Sequence, residues 1–199
     1  YAAFTSLTFG AYLLVLRRLS PRHFPVVLVA SLCATYITIR SGQNGFLTAS
    51  LIGGFVLLSL RGSRWAGLPL GLMVIKPHLA LGLGLFLLLA RRWAEAALAL
   101  AVVGSSALLS TLAFGIGIWP AFLNGVQESK LFLEAGLYPL YRMVSVYAGL
   151  RTLGAGAGLA LGLHLLMALG GLAMLVLAVV RKWQAERVLA VAILASLTV

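Results

Sequence analysis

The chain contains no aspartate, and only four of its 199 residues are acidic. These four are Glu95, Glu128, Glu134 and Glu186. The single cysteine, Cys33, excludes an internal disulfide and a cysteine metal site, and we expect it to be an ordinary apolar packing residue. The three histidines are scattered without metal-ligand spacing. We therefore expect no metal and no other cofactor.

Apolar residues dominate the composition. They make up 62% of the chain, and the mean hydropathy is +1.07. Soluble domains average about 45 to 50% apolar residues, so the chain is predicted to be an integral membrane protein. The net charge of +11 could indicate nucleic-acid binding, but the cations separate apolar spans. The positive-inside bias of membrane proteins explains this pattern, and no nucleic-acid partner is expected.

Basic clusters divide the sequence into spans of one all-α, multi-pass transmembrane domain, residues 1–199. Both termini fall inside apolar runs, so we expect this domain to be incomplete at each end. Ten of the fifteen cations collect on one side, which the positive-inside rule assigns to the cytoplasm. The predicted spans are 2–16, 24–39, 46–60, the broken stretch 66–90, 94–118, 155–180 and 188–199.

Lys76 lies next to Pro77 in the middle of the broken stretch. A cation at bilayer depth costs about 2.5 to 3.5 kcal/mol even on lenient scales, so it needs a partner or a water-filled cavity. Proline breaks the helix at the same point. Both ends of the stretch are predicted to be cytoplasmic, which fits a broken or re-entrant hairpin of two half-membrane helices, or two short, tilted spans. Lys76 would then lie at the level of Gln43 and Asn44, and together they would form an anion site.

Each candidate residue also has a simpler explanation. Backbone carbonyls could neutralise Lys76, and a capping turn explains Gln43 and Asn44 as well as ligand contact does. His78 is either a ligand contact or a polar residue satisfied inside the bundle. Arg142 is either a second anion contact or an interfacial cation.

Residues 119–151 are predicted to form a non-cytoplasmic interfacial loop with short helices. Phe122, Val126, Leu133 and Leu137 can share one helical face. Glu128 and Glu134 are the only acids on this side, so acid–base chemistry there would have to use one of them. Neither has a visible partner in the sequence.

Two further features of the later spans are assigned to packing. His164 is predicted to make a hydrogen bond inside the bundle. Gly154, Gly158 and Gly162, at a spacing of four, are predicted to form a helix-packing face, as are Gly67 and Gly71.

Several motifs together resemble glycosyltransferase family 87, also called the domain-of-unknown-function 2029 proteins. The resemblance covers roughly residues 40–151. It rests on Ser41-Gly-Gln43-Asn44, on the segment from Ala66 into Ile75-Lys76-Pro77, on Arg91-Arg92-Trp93, and on the stretch from Met143 to Arg151.

The resemblance implies a fragment of a C-type membrane glycosyltransferase fold. Members transfer a hexose, usually mannose, from a polyprenyl-phosphate donor to a lipid or glycan acceptor on the non-cytoplasmic side. That side would be the outer face of a bacterial inner membrane. Lys76, Gln43, Asn44, His78 and Arg142 would contact the donor. The family's catalytic base is usually an aspartate, so this chain is expected to lack it and to be inactive alone.

Two other functions remain open on the sequence. A broken helix with a charge at mid-depth also builds transport sites, although transporters usually show paired breaks and only one clear break is visible here. The missing aspartate favours a non-catalytic membrane scaffold. Membrane lipids are expected partners in every case.

Overall fold

The computed structural model describes residues 1–138, 140, 143 and 145–198. This part of the chain is helical and contains no strand, which confirms the predicted all-α membrane bundle. The helices are α1 (Ala2–Leu19), α2 (Phe24–Ala30), α3 (Leu32–Ser41), α4 (Gly45–Leu60), α5 (Gly67–Leu72), α6 (Leu81–Leu89), α7 (Trp93–Phe114), α8 (Ile118–Glu134), α9 (Val146–Thr152), α10 (Ala157–Val180) and α11 (Ala185–Thr198).

Two of the described helices, α7 and α10, are long and apolar enough to cross a membrane. The pair α2 and α3 makes a third candidate span, bent by 54° at Ser31. The Ser31 hydroxyl donates to the Leu28 carbonyl at 2.9 Å, and the Tyr12 hydroxyl donates to Ser31 Oγ at 3.2 Å. Side-chain bonds of this kind compete with the helix ladder and bend it. The sequence did not predict this bend, since no proline or glycine marks it.

The core lies where α4, α5, α6, α7, α10 and α11 meet. Its largest fully buried apolar side chains include Phe55, Leu83, Leu87, Leu175 and Leu189. Two glycines allow α5 to approach α7 closely, because a Cβ at Gly67 or Gly71 would overlap α7. The prediction that these two glycines form a packing face is therefore confirmed.

The contacts between neighbouring helices show which of them run in the same direction. Gly67 lies against Glu95 and Leu98, and one turn later Gly71 lies against Ala99 and Val102, so α5 and α7 run in the same direction. Phe55 of α4 packs edge-on against Phe86 of α6, and further along Arg92 contacts Ser59, so α4 and α6 also run together.

The first residue of α5, Gly67, lies against Glu95, just beyond the end of α6. The two helices therefore run in opposite directions, and the chain reverses at Lys76. The nine residues of α6 rise about 14 Å, roughly half of a 30 Å hydrocarbon core. Arms of this length are too short for two full spans and fit a hairpin whose two ends are on the same side of a membrane. This confirms the predicted broken hairpin around Lys76 and Pro77.

The remaining helices lie at the periphery. No residue of α8 is buried, and this helix ends at Glu134 before Gly136, which has a φ of +70°. The prediction that Leu137 continues the same helix is therefore wrong. Cys33 is exposed on α3, so its assignment as a packing residue is also wrong. That residues 119–151 face the non-cytoplasmic side stays a prediction.

The packing face predicted at Gly154, Gly158 and Gly162 is not found. No described atom lies within 4 Å of a Cβ built at any of the three. The glycine of α10 that does pack is Gly171, which lies against Ala195 and Thr198 of α11. Spacing alone could not distinguish these glycines, because every glycine in an apolar helix offers the same close approach.

Candidate functional site at the hairpin apex

Lys76 forms the apex of the hairpin. It separates two short 3-10 turns, Met73–Ile75 and Pro77–Ala80, and has φ −145° and ψ 72°. Proline disfavours the helical conformation in the residue before it, which explains this extended backbone. The Lys76 amide donates to the Met73 carbonyl at 2.8 Å, and the Leu79 amide donates to the Lys76 carbonyl at 3.1 Å. The backbone of the apex is therefore held in place on both sides.

The Lys76 side chain is half-buried and is not paired with a carboxylate. In the described residues, the two ion pairs are Arg92 with Glu95 and Lys130 with Glu134. The other two glutamates, Glu128 and Glu186, make no ion pair there. The residue is thus partly buried and has no counter-charge among the described residues, which is the condition expected of an anion site.

Gln43 and Asn44 lie in the turn between α3 and α4. The turn closes through Gly42, at φ +65°, and through the Gln43 amide, which donates to the Thr38 carbonyl at 3.3 Å. Asn44 precedes the first residue of α4, but its side chain does not cap the helix. No hydrogen bond to either side-chain amide is found within the described chain. Capping therefore does not account for the Asn44 side chain.

Lys76 and Asn44 lie at a similar depth in the bundle. The contact between Phe55 and Phe86 provides a common reference level. Asn44 precedes Phe55 by eleven residues and Lys76 precedes Phe86 by ten, and α4 and α6 run in the same direction. At about 1.5 Å per residue, both positions lie roughly 15 Å beyond the aromatic pair. No hydrogen bond joins them in the described residues.

The other predicted contacts are less well defined. His78 is exposed and follows Pro77, so its amide is the first N–H of a helical turn and has no carbonyl of that turn to bind. Arg142 lies outside the described residues. Glu128 and Glu134 are exposed on α8, and Glu134 lies 3.7 Å from Lys130.

The surroundings of His164 differ from those predicted. Its Nδ1 is buried and has no hydrogen-bond partner among the described residues, so the predicted bundle hydrogen bond is wrong there. His164 lines an open cavity of about 570 Å³ between α9, α10 and α11. The other lining residues are Met143, Ser145, Val146, Gly149, Met167, Leu197 and Thr198.

A polar cluster at the opposite end of the bundle was not predicted from the sequence. Arg92 Nε donates to Glu95 Oε1 at 2.8 Å, and a second guanidinium nitrogen lies 2.6 Å from the same oxygen. Arg92 also donates to the Ser59 carbonyl at 3.3 Å. The detectable signal was the spacing of three residues at the start of α7, where a glutamate also complements the helix dipole.

The fold and composition together define an integral membrane helix bundle. The family model described as glycosyltransferase family 87 matches residues 1–199, and the chain belongs to that family. This confirms the resemblance found in the motifs. Neither a curated protein nor a solved structure matches the chain. The family makes the protein a membrane glycosyltransferase, which uses a sugar donor and an acceptor.

Proposed function

We propose that the protein transfers a hexose, with mannose the first choice, from a polyprenyl-phosphate donor to a lipid or glycan acceptor. Transfer takes place on the non-cytoplasmic side of a bacterial inner membrane, which the chain crosses several times. The observation that carries this proposal is Lys76, which is half-buried at the apex of the hairpin and has no carboxylate partner among the described residues.

The chemistry of such a donor matches this position. A polyprenyl phosphate keeps its tail in lipid, so its phosphate must meet a protein cation at or near membrane depth. A lysine point charge binds phosphate well. The same charge stabilises the additional negative charge that develops on the leaving phosphate as the sugar–oxygen bond breaks. Lys76 would therefore contribute to donor binding and, more strongly, to the transition state.

Neighbouring polar groups would complete the donor site. Gln43 and Asn44 are in the turn before α4, and their side-chain amides would bind sugar hydroxyls or phosphate oxygens. The backbone amide of His78 and its imidazole are the next available donors at the apex. Arg142 is proposed as a further phosphate contact on the strength of its charge alone.

None of the four glutamates is placed to act as the catalytic base. Glu95 is engaged by Arg92 at the opposite end of the bundle, and Glu134 lies near Lys130 on α8. Glu128 is on the same exposed helix, and Glu186 is in the first turn of α11, at the end of the bundle away from Lys76. We therefore propose that the base is a carboxylate outside this sequence, and that these 199 residues alone do not catalyse transfer.

Substitution of Lys76 by methionine in the intact protein tests the proposal. Methionine keeps the length and apolar stem of lysine but removes the charge. We expect the rate of sugar transfer from polyprenyl-phosphate mannose to fall about 100-fold or more, as when a preorganised electrostatic contact is lost. The midpoint of thermal unfolding should not fall.

Lys130→Met provides the matched control, because Lys130 is an exposed cation on α8 whose only ion pair is solvent-exposed. It should transfer sugar at the wild-type rate. Wild-type turnover in Lys76→Met would exclude the proposed role of the apex. The transporter alternative gains no support from the bend at Ser31, because that break carries no charge.

A further inference from the structure

Three turns of the bundle repeat one pattern of cations followed by tryptophan. Each turn follows the end of a helix, after α4, α6 and α10. The segments are Arg61-Gly62-Ser63-Arg64-Trp65, Arg91-Arg92-Trp93 and Arg181-Lys182-Trp183, and together they are called the basic rim here. Three of the four tryptophans of the chain belong to the rim, and the fourth, Trp119, is on α8.

The three turns lie at the same end of the bundle. Arg92 contacts the carbonyl of Ser59, where α4 ends and the first turn begins. Gly82, near the start of α6, lies against Ala192 and Ser196, in the C-terminal half of α11. This register makes α6 and α11 antiparallel, so the turn after α6 is beside the turn before α11. The three turns of the rim therefore share one end of the bundle.

The backbone of these turns favours glycine, but two of the three positions hold a cation. Gly62, Arg91 and Lys182 each donate to the carbonyl three residues earlier, at 3.0, 3.1 and 3.0 Å. Their φ angles are +64°, +53° and +52°. Arg91 and Lys182 are the only described residues other than glycine with positive φ. An L-residue is less favourable there than glycine, so two charges are kept at a conformational cost.

The rim presents its charge without internal neutralisation. Arg61, Arg64, Arg91, Arg181 and Lys182 are exposed, and none forms an ion pair with a described residue. The indoles beside them are 53%, 60% and 40% exposed at Trp65, Trp93 and Trp183. Tryptophan prefers the headgroup level of a bilayer, and clustered Lys and Arg next to a membrane attract anionic lipids.

We infer that the basic rim is a binding surface for anionic phospholipid headgroups, with Arg91 and Lys182 held in the left-handed conformation to contact them. The indoles fix the rim at the headgroup level, while the exposed cations bind the lipid phosphates. The surface is at the opposite end of the bundle from Lys76. It is therefore independent of the proposed donor site.

Tryptophan quenching by brominated lipids tests this inference. The chain would carry Trp119→Phe, so that every remaining indole belongs to the rim. Reconstituted into phosphatidylcholine mixed with an equal amount of phosphatidylglycerol, it should be quenched more when phosphatidylglycerol carries the bromine than when phosphatidylcholine does. Arg91→Gly with Lys182→Gly should reduce this preference at least about fivefold, because each cation near an anionic surface contributes about 1 kcal/mol.

The charge-preserving pair Arg91→Lys with Lys182→Arg is the matched control and should keep the wild-type preference. The glycine pair should unfold at the same or a higher temperature in phosphatidylcholine alone, since it relieves the backbone cost. Equal preference in the wild type and the glycine pair would overturn the inference. So would a preference that high salt leaves unchanged, because exposed charges are screened by salt.

Discussion

Arg92 and Lys76 are both partly buried cations in an apolar bundle, but their surroundings differ. Arg92 bonds to Glu95 and to the Ser59 carbonyl, and its guanidinium carbon lies 5.9 Å from the centre of the Phe86 ring. Lys76 has no ion pair among the described residues, and its backbone groups are already bonded. The first cation is neutralised inside the fold, whereas the second is left available to a ligand.

We propose that this difference separates a structural charge, Arg92, from a binding charge, Lys76. Withdrawing a cation from water costs free energy, and the protein recovers that cost at Arg92 through a carboxylate and a carbonyl. At Lys76 no group of the described chain offsets this free-energy cost. We propose that an anion bound from outside the chain offsets it. Removing Arg92 should therefore affect folding, and removing Lys76 should affect only binding and transfer.

Arg92→Leu should give the largest loss of stability. The Glu95 side chain, 10% exposed, would become an unpaired buried charge, and breaking such a pair costs about 3 to 5 kcal/mol. The measurement is the free energy of unfolding in detergent micelles. Lys76→Met, measured in the same way, should show no loss.

Arg92→Leu combined with Glu95→Leu is the control, because it removes both charges and should recover most of the lost stability. The comparison fails if Lys76→Met destabilises the bundle as much as Arg92→Leu does. Lys76 would then have a structural partner, and its role as a free anion contact would be wrong.

Asn44→Ala and Gln43→Ala extend the comparison to neutral polar groups. A hydrogen bond to a charged phosphate contributes about 1.5 to 3 kcal/mol, so each change should lower kcat/KM for sugar transfer roughly 10- to 100-fold in the intact protein. Stability should hold, because the Asn44 side chain does not cap α4. Asn124→Ala on the exposed α8 should leave transfer unchanged. A stability loss without a transfer defect would restore the capping interpretation.

Much of this fold could be predicted from the sequence, because its strongest signals are local. Apolar runs between basic clusters gave the helices closely, as in residues 46–60 for α4 (Gly45–Leu60). Proline after Lys76 predicted the break, since it acts on the residue before it in any context. Even the reversal at Lys76 followed from counting cations on the two sides.

The features that could not be predicted depend on contacts between helices that are far apart in the sequence. Arg92 and Glu95 are three residues apart, but only packing shows that Ser59 and Phe86 complete their surroundings. At the bend, Ser31 accepts a hydrogen bond from the Tyr12 hydroxyl of α1. Long-range contacts of this kind leave no pattern in the local sequence. The candidate site was predictable only as a set of residues, and its membership stays a prediction.

Gly82→Ala and Gly84→Ala compare a position where two helices pack closely with a position on the same helix that has no close neighbour. A Cβ at Gly82 would overlap the Ala192 carbonyl and come within 2.7 Å of the Ser196 amide, so α6 and α11 would have to separate. Overpacking of this kind costs about 1 to 3 kcal/mol. Gly84→Ala, two residues further along α6, should cost nothing, because no described atom lies within 4 Å of its Cβ. Equal unfolding midpoints for the two variants would contradict the close helix contact.

Gly162→Ala should have the smallest effect, and its sign is informative. Gly162 lies in the interior of α10, and no described atom lies within 4 Å of its Cβ. Alanine is favoured over glycine in a helix interior by about 1 kcal/mol, so the unfolding midpoint should rise slightly. Gly171→Ala, on the same helix but against Ala195 and Thr198, should lower it. If Gly162→Ala also lowers the midpoint, another surface must pack against this face of α10 in the membrane. The face would then be a packing surface, as it is at Gly171.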